Sequence, residues 1–130
     1  MQTRLSAKFD VKSWDETPFE DKDPGLSKMT RALVMKEYSG DIEGSSTTQW
    51  LMAYVEDGSA RFVGLERITG RFSGEDGSLV LEHVGSYKEG TARATLTVIE
   101  GANSGELETA TGAGEFVADP SGSVTLELAW

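Results

Sequence analysis

The chain has no cysteine among its 130 residues. That excludes disulfide staples, thiolate nucleophiles and cysteine metal sites, and it points to a cytoplasmic setting. A single histidine, His83, rules out a zinc centre built from several imidazoles, so no metal is expected. Basic residues are scarce: 12 Lys and Arg face 22 Asp and Glu, for a formal net charge of −10. Such a surface repels phosphate backbones and anionic lipid, so neither nucleic acid nor a membrane is an expected partner. No apolar run is long enough to span a bilayer, and Met1 to Ala7 lacks the apolar core of a secretory signal. Three prolines against fifteen glycines suit strands and turns better than a helical bundle. The Gly-x-Ser-x-Gly context of a serine nucleophile is missing. Gly112-Ala113-Gly114 is a lone glycine pair, not a phosphate loop, and no cofactor is implied.

What the chain does have is a period of two. Leu5, Ala7, Phe9 and Val11 alternate with polar neighbours. Ala60, Phe62, Gly64, Glu66, Ile68 and Phe72 share one face. Leu79, Leu81, His83 and Tyr87 follow, then Ala92, Ala94, Leu96 and Val98, and finally Val124, Leu126, Leu128 and Trp130. Each run reads as a half-buried strand. Asp57-Gly58, Asp76-Gly77 and Glu89-Gly90 are hairpin signals between them. About eight antiparallel strands in sequential order, with no helix to cover them, should close on themselves and so remove their edges. The predicted fold is one all-β domain over residues 1–130, a closed up-and-down barrel. The acidic segment from Trp14 to Lys28, with two prolines, reads as a long loop and a candidate lid.

Turn position sets facing. A two-residue Asp57-Gly58 turn places Gln49, Leu51 and Ala53 on the inner wall with Phe62, Gly64, Glu66 and Ile68. A Glu89-Gly90 turn adds Leu81, His83, Gly85 and Tyr87. Trp50, Met52 and Tyr54 then point outward with Val63, Leu65, Val80 and Val84. That apolar band predicts a homo-oligomer.

Glu66 and His83 are the two polar groups that this pattern turns into the core. An acid and an imidazole in that position need partners or a task. With Asp76-Gly77 as the turn they stand about 13 Å apart along the wall. With Glu75-Asp76 they become diagonal neighbours at roughly 7–8 Å. A carboxyl in an apolar barrel has a raised pKa unless a cation is near, which suits proton transfer. Glu66 and His83 are therefore the candidate acid/base pair of an isomerase or cyclase. Gln49, Leu51, Phe62, Gly64, Ile68, Leu81, Gly85 and Tyr87 are the candidate wall for a small apolar or amphipathic ligand. The competing readings are a non-catalytic ligand-binding barrel, or a structural barrel in which the pair belongs to a satisfied buried network.

Several segments also carry a family resemblance. Phe9-Asp10-Val11-Lys12-Ser13-Trp14-Asp15-Glu16, Ser39-Gly40-Asp41-Ile42-Glu43-Gly44, Leu51-Met52-Ala53-Tyr54, Phe62-Val63-Gly64-Leu65-Glu66-Arg67 and His83-Val84-Gly85 resemble the bacterial domain of unknown function 3224 family. The resemblance covers nearly the whole chain. It implies an eight-stranded barrel of the allene oxide cyclase type. Plant cyclases of that fold steer an unstable fatty-acid epoxide with a buried glutamate and an ordered water. Shared fold alone does not transfer that role to Glu66.

Overall fold

The computed structural model describes residues 2–19, 27–119 and 121–130. Eight long strands form the barrel: β1 (Gln2–Pro18), β2 (Met29–Gly40), β3 (Ile42–Tyr54), β4 (Ala60–Phe72), β5 (Glu75–Lys88), β6 (Thr91–Val98), β8 (Thr111–Ala118) and β9 (Gly122–Ala129). A two-residue strand, β7 (Ser104–Gly105), pairs with the start of β5. Every long strand pairs antiparallel with its sequence neighbour, β6 pairs with β8, and β9 returns to β1. The closed eight-stranded meander is the architecture that the alternation predicts.

An eight-stranded barrel is just wide enough for side chains to fill it. Here Phe9, Trp50, Phe62 and Phe116 fill the middle, with ring centroids 4.6–6.4 Å apart. One end is closed by the segment between β6 and β8, which buries Leu107 and Ala110 in the core. The opposite end carries the β3–β4 and β5–β6 hairpins and the last residues of β1.

Three turns decide the facing. The Glu89-Gly90 turn is as predicted, with both residues at positive φ (53° and 81°), the geometry of a type I′ hairpin. The β4–β5 turn is Ser73-Gly74, not Asp76-Gly77 or Glu75-Asp76; Phe72 pairs with Glu75, and Ser73 and Gly74 have φ of 51° and 92°. The parity is unchanged, so Glu66 and His83 still point inward; both expected turn positions are wrong, and the pair are diagonal neighbours rather than about 13 Å apart. The β3–β4 turn overturns more. Tyr54 pairs with Ala60, and Val55 and Ser59 flank a three-residue loop, Glu56-Asp57-Gly58, with Gly58 at φ 85°. The Asp57 carboxylate accepts the Ser59 N–H at 2.8 Å and holds that turn. One additional loop residue rotates β3 by one position. Trp50 and Met52 are therefore buried and Tyr54 turns inward, while Gln49 and Leu51 face out.

The loop expected over 14–28 is shorter than predicted, because Trp14–Pro18 belong to β1 and pair with β2. A bulge between Val11 and Ser13 shifts the phase, so Trp14 and Glu16 lie opposite the inward-facing Val34 and Ala32. The stretch 20–26 of that predicted loop lies outside the described residues.

Candidate functional site

Glu66 is placed mid-strand on β4 and His83 mid-strand on β5, one step apart on the same face, because Glu66 pairs with Leu81 and Gly64 with His83. Their side chains meet: His83 Nε2 is 2.9 Å from Glu66 Oε1. On the other side of the ring, the Trp50 indole N–H donates to His83 Nδ1 at 3.0 Å. Indole nitrogen is only a donor, so Nδ1 carries no proton and Nε2–H donates to the carboxylate. That arrangement is a neutral imidazole of defined tautomer. Burial pushes the His83 pKa down, against the pull of Glu66.

A third charged group completes the centre. Lys36 on β2 is 2% exposed, and its Nζ lies 3.5 Å from Glu66 Oε2. Its ammonium also faces the rings of Phe9, Phe116 and Trp50 at 4.4, 4.9 and 5.4 Å from their centroids. Burial lowers the Lys36 pKa, and Glu66 opposes the shift. The Tyr38 and Ser46 hydroxyls each donate to Glu66 Oε2 at 2.6 Å. Burial pushes the Glu66 carboxyl up, but Lys36, His83 and Ser46 outweigh it and hold the group below the usual carboxylate range. The structure thus contains an ionised carboxylate where the sequence pattern suggested a raised one. The positive group that reverses the sign is Lys36. Its signal was present, since Ala32, Val34, Lys36 and Tyr38 have the inward period; the apolar Leu33 and Met35 on the other face obscured it.

Of the predicted ligand wall, Phe62, Ile68 and Leu81 are packed into the core. Gly64 and Gly85 line the partly accessible wall, and Tyr87 stands at the open end. Gln49 and Leu51 lie on the outer face. They line a groove of about 820 Å³ there with Arg31, Met35, Val63 and Leu65. The predicted outer band survives in altered form. Leu51, Val63, Leu65 and Val84 are each about half exposed, joined by Leu33 and Met35, whereas Trp50, Met52 and Tyr54 have left it. Val80 is buried, because its backbone N–H donates to the Asn103 side chain and its carbonyl accepts from Ile99.

The open end joins Tyr87, a predicted wall residue, to residues that the sequence pattern placed elsewhere. Trp14, Glu16, Met52, Tyr54 and Tyr87 line a recess of about 330 Å³. The Glu16 carboxylate accepts from the Trp14 indole at 3.1 Å, from the Thr30 hydroxyl at 2.6 Å and from the Tyr54 phenol. Burial raises the Glu16 pKa, and these bonds outweigh it and lower it. Tyr54 is pushed up to about 12 by burial and by the Glu16 carboxylate. Between Tyr54 and Tyr87 in the same row lies Ala60, followed by Ala92 and Ala118. The Trp14 ring meets Trp50 edge-on at 5.3 Å, which joins the recess to the buried centre. Among the described residues, no three His, Asp or Glu side chains are grouped to hold a metal ion.

A family model described as "Protein of unknown function (DUF3224)" matches residues 5–130. The chain belongs to that family. A crystal structure of a DUF3224 protein of unknown function from Shewanella oneidensis MR-1 is 27% identical, with a TM-score of 0.80, over 100% of this chain and 98% of that one. The barrel is therefore a family property. No curated protein matches. Among the described residues, no helix is long and apolar enough to cross a membrane.

Proposed function

We propose that this chain is a small-molecule-binding barrel whose ligand site is the open end, not a deep central chamber. The observation that carries the reading is the recess lined by Trp14, Glu16, Met52, Tyr54 and Tyr87. It combines apolar walls with convergent polar groups and is of ligand-pocket size. The predicted ligand, small and amphipathic, suits it: an apolar body against Met52 and the rings, a polar end at Glu16. Beneath the recess, the filled interior leaves the Glu66–His83–Lys36 centre in a supporting role. Its carboxylate is 1% exposed and already accepts three hydrogen bonds. Titration with 2-phenylethanol, followed by NMR, tests the reading. Shifts at Trp14, Tyr54 and Tyr87 support it; shifts confined to the outer groove around Leu51 and Val63 refute it.

The second reading is acid/base isomerisation or cyclisation by Glu66 and His83. The contact of 2.9 Å between them favours it. It requires a substrate to replace the Tyr38 or Ser46 hydroxyl at the carboxylate. Glu66→Gln and His83→Ala would each abolish such a turnover, and unchanged turnover in both would remove the pair from catalysis.

We also propose that the outer face of β2–β5 receives a second copy of this chain. Leu51, Val63 and Val84 stand side by side across β3–β5, with Leu33, Met35 and Leu65 exposed on the same outer face, and exposed apolar side chains grouped in this way mark contact with another protein.

A further inference from the structure

The recess at the open end has features that define a ligand class, and the inference rests on the binding role proposed above. Its walls are the rings of Trp14, Tyr54 and Tyr87, with a carboxylate, Glu16, between the first two. Glu16 holds Trp14 by its indole N–H and Tyr54 by its phenol O–H, that is, by ring edges. Fixing the edges preorganises the rings and leaves their faces for contact. Aromatic faces carry negative charge density and attract cations, most strongly when the cation is easily desolvated. One ammonium already responds to this field: the Lys28 Nζ lies over the Tyr54 ring, 4.7 Å from its centroid. The net charge of −10 adds a long-range attraction for cations.

We propose that the recess binds an organic ammonium ion, with an alkylated nitrogen seated among Trp14, Tyr54 and Tyr87 and opposite the Glu16 carboxylate. An alkylated nitrogen fits better than a bare one. It presents an apolar surface to Met52 and the rings, and it loses little hydration on entry. Lys28 belongs to the same site as a competing positive charge on the Tyr54 ring. It weakens the entry of a second cation and keeps the unliganded rings and carboxylate compensated.

The test compares choline with 3,3-dimethylbutan-1-ol, its uncharged counterpart of the same shape, by calorimetric titration of the full chain. Choline should bind about tenfold tighter than the neutral alcohol, the range expected for a partly desolvated cation–π site. Glu16→Gln should weaken choline more than the alcohol and so erase most of that preference. Lys28→Ala, an exposed change with no core to disturb, should tighten choline and not the alcohol. Equal affinities for the two probes in the natural chain and in Lys28→Ala overturn the cation proposal and leave the recess as a binding site. In an NMR titration of the same chain with choline, shifts located away from Trp14, Tyr54 and Tyr87 overturn it as well. If 2-phenylethanol also leaves those residues unperturbed, the binding role of the open end falls with it.

Discussion

Replacing Glu66 by Gln tests the buried charge centre directly. The change keeps size, turns one acceptor oxygen into a donor NH2, and removes the only carboxylate paired with Lys36 among the described residues. At 3.5 Å and an effective dielectric of about 20, the pair attracts by roughly 5 kcal/mol. Desolvating both ions offsets most of this, so the intact pair contributes little net stability. Removing one partner is different, because it strands a buried ion and costs about 3–5 kcal/mol. Glu66→Gln should therefore lose about that much, and Lys36→Met a similar amount. The double variant Lys36→Met/Glu66→Gln should return to within about 1 kcal/mol of the natural chain, since both ions are gone. The pH dependence gives a second signature. In Glu66→Gln the folded Lys36 loses the group that opposed its downward shift, whereas the unfolded lysine binds its proton up to the ordinary value of 10.5. The unfolded state then holds the additional proton, so stability rises with pH, by up to about 1.4 kcal/mol per unit. Urea unfolding followed by tryptophan fluorescence at pH 7 and pH 9 measures all of this. A Glu66→Gln protein within about 1 kcal/mol of the natural chain, with no recovery in the double variant, would refute the reasoning.

Three further outcomes follow from other parts of the structure. His83 is neutral in the fold with a lowered pKa, so the unfolded chain takes up a proton first as pH falls through 6.5; Glu66, held ionised, adds a second loss below its ordinary 4.5. Urea midpoints should thus fall in two stages from pH 7 to pH 3, and a flat profile between pH 7 and pH 5 contradicts the neutral imidazole. Gly64→Ala should cost about 1–3 kcal/mol by overpacking and alter the emission of Trp50, because the new Cβ would lie 2.6 Å from Trp50 Cδ1 and 2.0 Å from the Gln49 carbonyl oxygen. A stability unchanged by urea titration would show that the wall yields freely there. Leu51→Lys with Val63→Lys should convert an assembled protein to monomers in light scattering at micromolar concentration; a natural chain already monomeric there ends the second-copy proposal.

Much of the fold was legible because period-two alternation is a local property. The residues Ala60 to Phe72 and Leu79 to Tyr87 declare their inner face without reference to any neighbour, and Glu66 and His83 stood out against it. Acid/base chemistry was the natural reading of that pair. Lys36 lay in the correct phase too, but β2 is apolar on both faces, so its alternation carried little contrast. The recess was hidden for another reason. Trp14 and Glu16 face Val34 and Ala32 only because a bulge after Val11 reverses the phase of β1.

Sequence alone determined the closed antiparallel meander, the acidic surface and the inward direction of Glu66 and His83. These follow from composition and from a periodicity that each strand carries by itself. Tertiary structure decided which residues meet. One additional residue in the Glu56-Asp57-Gly58 loop turned Trp50 from the predicted outer band onto His83. The Ser73-Gly74 turn brought His83 against Glu66, and barrel closure carried Lys36 across to the same carboxylate. Register errors of one residue leave every local pattern intact yet exchange the two faces of a strand, so the chemistry of the core depends on turns that local alternation does not constrain.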